Sequence, residues 1–252
     1  MQDKVIDLLG LQQYKNVRKI PKNMFYQQDD FAKSAEKLFT SDIDGITLIA
    51  AINKSNSNID AYVTEDIQYE EIYVMYVELR ENKNIEKIIQ IMHSIIPNPA
   101  IILYEHNDTI TITTASKRKN KADSTKQVIE DIYSSTPIDL ESTDTDAQKF
   151  ITDIHIKQQS FANLWRLYNS ICDRILMREV KSILWSYYTP PIDTVPVHEL
   201  IHTYNDLQKQ KDTLEKEYKQ VVNMGDQAEI YMQMRQLGEQ QKQIVASIKQ
   251  YF

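Results

Sequence analysis

Cysteine is nearly absent: a single Cys172 among 252 residues rules out an intrachain disulfide and any multi-cysteine zinc cluster, and suits a reducing compartment. Glycine is scarce as well. Only four occur, and neither a GxGxxG nor a GxxxxGK[ST] stretch is present, so the glycine-rich loops that cradle phosphates are excluded. No apolar run approaches the roughly eighteen residues that a membrane span requires. Basic residues number 29 against 36 acidic ones, and the net charge of −7 argues against a broad nucleic-acid-binding surface while leaving room for a local basic patch. The stretch Met1-Gln2-Asp3-Lys4-Val5-Ile6-Asp7 has neither the basic nor the apolar region of a secretory signal, so a cytoplasmic, soluble protein is expected.

What is present centres on Glu70–Arg80. Ile72, Val74 and Tyr76 fall on one face of this run, and Tyr73, Met75, Val77 and Leu79 on the other. A strand wet on one side alternates apolar with polar, so this one belongs in the middle of a sheet covered on both faces. Upstream, Val5 to Leu11 is a short apolar segment, and Pro21 biases Ile20 towards extended backbone, so Arg18–Tyr26 reads as an ordered arm and not a helix. A helix is predicted from Asp30 to Phe39, with Phe31, Ala35, Leu38 and Phe39 at helical spacing and Asp29 or Asp30 placed to cap. Ile46–Ile52 has strand length.

Downstream of the central strand, Ile85, Ile88, Ile89, Met92 and Ile95 form one helical face that Pro97 and Pro99 end. Ala100–Tyr104 and Ile110–Thr114 make a hairpin around His106-Asn107-Asp108. Lys117–Asp146 reads as polar, with a further strand at Phe150–Ile156. Leu164, Leu167, Tyr168, Ile171, Ile175 and Leu176 form a helical stripe that closes the domain. The expected class is α+β: a mixed or antiparallel sheet with packed helices, spanning residues 1–186.

Tyr187–Val197 is a proline-rich linker, and residues 198–252 have a different texture. Leu200, Tyr204, Leu207, Lys211, Leu214, Tyr218 and Val221 alternate at intervals of four and three, the seam of a coiled coil. The pattern restarts out of phase at Ile230, Met234, Leu237, Gln241, Ile244, Ile248 and Tyr251. A phase break near Gly225 between two seams predicts an antiparallel helical hairpin with arms of about 35–40 Å at 1.5 Å per residue. Lys211 and Gln241 place polar groups at similar distances from the turn, a device that sets register and partner number. Two arms from one chain, or four from a homodimer, both satisfy the seams.

Val5-Ile6-Asp7-Leu8-Leu9-Gly10-Leu11, Arg18-Lys19-Ile20-Pro21-Lys22 with Phe25, Glu71-Ile72-Tyr73-Val74, and Ile95-Ile96-Pro97-Asn98-Pro99-Ala100-Ile101-Ile102 occur in this order. Together they resemble the bacterial family catalogued as domain of unknown function 4391. The resemblance implies an accessory protein encoded beside DNA helicases and DNA methyltransferases of restriction and antiphage systems. It carries over no catalytic residues.

Four patterns bear on chemistry. His198-Glu199-Leu200-Ile201-His202 is a formal HExxH, whose His198 and His202 would bind zinc on one helix face. It opens a coiled-coil arm with no third ligand opposite, so solvent-facing histidines are the expected reading. Glu78-Leu79-Arg80 ends the central strand. With Glu36 on the preceding helix and Asp60 or Asp66 upstream, it outlines a Mg²⁺-dependent nuclease of restriction type, in which carboxylates hold the metal. Arg80 is a poor substitute for the lysine such sites use, since its charge is permanent and forked. Lys117, Arg118, Lys119 and Lys121 form a basic cluster able to meet phosphate, or a polar loop balanced by downstream acids. Cys172 falls in an apolar stripe and reads as a core residue. The reading that results is a non-enzymatic interaction subunit of a bacterial defence system, without cofactor. It would dock onto a helicase or methyltransferase through its hairpin and contact DNA only indirectly, with the Glu78 nuclease as the alternative.

Overall fold

Both faces of the central strand are buried, and the layers around it follow from that. A computed structural model describes residues 1–26, 33–121, 123, 127–191 and 193–252. By compactness the chain divides into residues 1–179 and 180–252, a boundary that falls within one helix. The elements in order are α1 (Gln2–Leu8), β1 (Lys15–Lys19), α2 (Asn23–Tyr26), α3 (Lys33–Asp42), β2 (Ile43–Asn53), α4 (Lys54–Ser57), β3 (Tyr62–Val63), β4 (Gln68–Tyr69), β5 (Glu71–Leu79), α5 (Ile85–Ile95), β6 (Ala100–His106), β7 (Thr109–Lys119), β8 (Gln127–Ser134), β9 (Ile138–Asp139), α6 (Thr145–Ile154), α7 (Leu164–Leu184), α8 (Val195–Gln220) and α9 (Met224–Ile248). The protein is α+β. Its mixed sheet of seven strands is followed by two C-terminal helices packed against each other.

The sheet runs β1-β2-β5-β6-β7-β8, with β9 paired to β7. Its one parallel pair, β5 with β6, is joined across α5, and the remaining pairs are antiparallel. On one face Met75, Val77 and Leu79 pack with Phe39 of α3 and with Ile88, Ile89 and Met92 of α5. On the other, Val74, Ile101, Leu103 and Ile112 meet Val5 and Leu9 of the first segment, Phe150 and Ile154 of α6, and Ile171 of α7. The Tyr168 hydroxyl crosses from α7 to the sheet, accepting from Ala115 N–H and donating to Ala100 O, each at 2.9 Å. Such a bond in a buried layer satisfies the phenol that the packing demands.

Local signals explain the turns. Asn107 and Asp108 both take positive φ, 49° and 62°, the conformation of a two-residue hairpin loop whose twist matches its strands. Ile96 is extended because Pro97 follows it, and α5 stops there. Gly10, at φ +69°, ends α1 in a Schellman arrangement, with Leu11 N–H on Ile6 O and Gly10 N–H on Asp7 O.

Several expectations need correction. Phe150–Ile156 is not a strand. Asp144 caps α6 by accepting from Ala147 N–H, and Ala147, Phe150 and Ile154 share one buried helical face. The polar stretch 117–146 contains β8 and β9, and Lys15–Lys19 is the opposite edge strand; its five residues are all exposed, so it carries no apolar alternation. Asn23–Tyr26 makes one helical turn where an arm was expected. The predicted cap at Asp29 or Asp30 and the residue Phe31 lie outside the described residues. α8 starts at Val195, with Pro196 tolerated in its first turn. The bend between α8 and α9 is Val221–Asn223, where Asn223 caps α9 through Gly225 N–H at 2.8 Å, so Gly225 lies inside the second helix.

Candidate functional site

Two regions concentrate the residues singled out by sequence: the α8–α9 hairpin and the carboxyl ends of β5 and β6. In the hairpin, Leu207 and Ile248 are buried, and Leu200, Tyr204, Leu214, Ile230, Met234, Leu237 and Ile244 are half-buried. A two-helix seam has no third or fourth wall, which is why most of its apolar residues remain partly wet. The polar layer forms as the spacing predicted. Lys211 Nζ donates to Gln241 Oε1 at 3.0 Å, and Gln241 Nε2 donates to Gln208 Oε1 at 2.9 Å. Gln241 is buried, and its amide is satisfied on both atoms. Ile201 and Val197 are more buried than the predicted seam residue Leu200.

Towards the bend the apolar side chains face water. Val222 is 92% exposed and Met224 84%, and Tyr218, Tyr231 and Met232 are exposed as well. Tyr218, read from sequence as seam, therefore belongs to the tip.

At the strand ends, Glu78 and Glu105 are register partners on parallel strands. Glu78 Oε2 occupies the space over Gly45, where a Cβ would lie 2.6 Å away, so glycine makes room for the carboxylate. Glu105 Oε1 accepts from Asp108 N–H at 3.2 Å. The nearby Tyr76 hydroxyl is buried without a hydrogen-bond partner among the described residues; burial, then Glu105 and Glu78, push its pKa up. Arg80 lies at the same end of β5 but is engaged with other groups, and Asp60 is at the far end of the sheet. Arg80 pairs with Asp44 at 2.5 Å and with Thr40 O. Asp60 pairs with Lys54 at 2.8 Å beyond the Asn53 end of β2, about 23 Å from Glu78 by strand rise. Glu36 is exposed on α3. Asp66 lends only its carbonyl, to Lys119 N–H.

The HExxH lies along the first turns of α8. His202 is exposed and bonds to Asp206 one turn on, Nδ1 to Oδ2 at 3.2 Å. Among the described residues, no group of three or more His, Cys, Asp or Glu side chains could hold a metal ion.

The basic cluster is divided by the sheet. Lys117 is buried, contrary to its reading as a phosphate contact; its ammonium donates to Ile96 O and, at 3.5 Å, to Asn98 O, capping the carbonyl end of α5. Burial pushes its pKa down to about 8. Arg118 pairs with Glu130 at 3.2 Å, Lys119 donates to Thr64 O, and Lys121 is exposed. Cys172 is buried, and burial pushes its thiol up, away from the thiolate that nucleophilic chemistry needs.

The family described as "Domain of unknown function (DUF4391)" matches residues 12–240, which takes in the sheet, α8 and most of α9. The chain belongs to this family. No curated protein and no solved structure matches it. The DUF4391 match spans both regions, so the hairpin is part of what defines the family. Among the described residues, no helix of this DUF4391 protein is long and apolar enough to cross a membrane.

Proposed function

We propose that this DUF4391 protein is a non-enzymatic interaction subunit of a bacterial restriction or antiphage system, and that its α8–α9 hairpin docks onto a DNA helicase or DNA methyltransferase. The observation that carries this reading is the hairpin tip, where Tyr218, Val222 and Met224 are exposed beside the Val221–Asn223 bend, with Tyr231 and Met232 exposed about two turns into α9. Large apolar side chains grouped in this way mark binding surfaces, and methionine adapts to uneven partner shapes. The satisfied Lys211–Gln241–Gln208 layer supports the reading from the other side, since a polar seam layer keeps register at some cost in stability. The family resemblance supplies the kind of partner. Separation of Asp60 from Glu78 weighs against the Mg²⁺ nuclease, and the missing third ligand weighs against a zinc hydrolase.

The test is association of the full chain with a DNA helicase and a DNA methyltransferase of its host's restriction or antiphage system, followed by size-exclusion chromatography with light scattering. A variant carrying Val222→Ser, Met224→Ser and Met232→Ser is expected to elute apart from the partner that the parent chain accompanies. Unchanged co-elution of the variant, or no association of the parent chain with either enzyme, would sink the proposal. Incubation with DNA and Mg²⁺ or Mn²⁺, beside Glu78→Ala, is the matching control: cleavage lost on that substitution would favour the nuclease.

A further inference from the structure

Between the end of α1, the end of α4 and the turn that follows α6 lies an open cavity of about 510 Å³, within the roughly 300–1,000 Å³ typical of small-molecule sites. Three segments distant in sequence build it, and backbone bonds lock them together. Ile156 N–H donates to Leu9 O and Leu164 N–H to Asp60 O, each at 2.9 Å. The His155 ring lies on Gly10 so closely that a Cβ there would be 2.3 Å from Cε1, so glycine is required by contact as well as by its positive φ. The walls are therefore held in place before any ligand arrives, which lowers the ordering cost of binding.

The lining is chemically one-sided. On a chain of net charge −7 it contains no Asp or Glu, and its only ionisable groups that can carry positive charge are His155 and Lys157. Of the carboxylates beside the lining, Asp7 accepts from the lining residue Gln12 and Asp60 pairs with Lys54. Lys157 Nζ and the side-chain amides of Gln13 and Asn58 make no hydrogen bond or ion pair among the described residues. His155 Nδ1 accepts Lys157 N–H at 3.2 Å, so the neutral ring carries its proton on Nε2, a second donor. Phe161, 47% exposed, adds an open aromatic face to the same lining.

We infer that this cavity binds a mononucleotide, its phosphate held by Lys157 and His155, its base against Phe161, and its base edge met by the Gln13 and Asn58 amides. An ammonium and an imidazole suit a single anionic group, amides offer a donor and an acceptor each, and an exposed ring suits a flat heterocycle. All of its lining residues belong to the first unit, residues 1–179.

Calorimetric titration of the full chain with the four ribonucleoside monophosphates, the matching nucleosides and inorganic phosphate tests the assignment. At least one monophosphate is expected to bind, and to bind more tightly than either its nucleoside or phosphate. Lys157→Ala and Phe161→Ala, both at exposed positions, are each expected to weaken binding about tenfold, while melting of the unliganded variants stays at the parent temperature. Absence of heat with every monophosphate, phosphate binding as tightly as the nucleotides, or affinity unchanged in both variants would overturn the inference.

Discussion

The strands of the sheet are richer in apolar residues than the two hairpin helices, and the two regions use them differently. In the sheet, Ile72, Val74 and Val77 are covered on both sides by α3 and α5 or by α1, α6 and α7. In the hairpin, Leu214, Met234 and Leu237 share one seam and stay half-exposed, and the tip residues are bare. A sheet walled by helices completes its own burial. Two helices alone do not, and the surface left over is what a partner can use.

Four experiments probe that contrast, in order of expected effect. Acid should act mainly on the sheet unit. Burial, with the Lys117 ammonium nearby, pushes the His93 imidazole down to about 3, while its Nε2 is bonded to Thr113 Oγ1 at 2.9 Å. Between the ordinary histidine value and 3 the unfolded chain takes up a proton that the folded chain refuses. Stability is therefore full above about pH 6.5 and falls as pH drops, by on the order of 4 kcal/mol at pH 3. Urea denaturation at pH 7 and pH 4 is expected to show a smaller acid loss in His93→Gln than in the parent; equal losses would reject His93 as the cause.

Truncation separates the two regions next. Ile102→Ala, at a fully buried position, should cost about 2–5 kcal/mol, whereas Leu237→Ala in the half-open seam should cost about 1 kcal/mol, both read from chemical denaturation. Equal costs would mean that the seam is covered by something else, a second chain first of all. The double change Lys211→Met with Gln241→Leu replaces two of the three members of the polar layer with apolar groups and leaves Gln208, which is half-buried, to water, so its stability should change by less than about 1 kcal/mol or rise. Its readout is instead a new mass by light scattering as register is relaxed, and an unchanged mass would deny the layer that role. Smallest in stability is the tip: Met224→Ser should move it by no more than about 0.5 kcal/mol while contributing to partner loss.

The order of legibility along the chain has a physical cause. β5, α5 and the α8–α9 seams were readable because each buries a face whose period is printed in the residues. β1 and β8 were missed because edge strands face water and have no such period to show. Lys117 misled because a charge in a polar run reads as surface; only the fold brings the carbonyl end of α5 to it. The nuclease outline had the right residue types, but strand register sends Asp60 and Glu78 to opposite ends of the sheet. The cavity at Gly10 and His155 left no local signal, since each contributing segment is ordinary by itself.

Alternation and heptad spacing were enough to determine the α+β class, the two-sided central strand and the antiparallel hairpin, because those features depend on contacts a few residues apart. Which charges are buried, which carboxylates meet and where a ligand can enter depended on strand order and helix placement. These are set by long-range packing, in which residues such as Gly10 and His155 acquire meaning only when the chain brings them together.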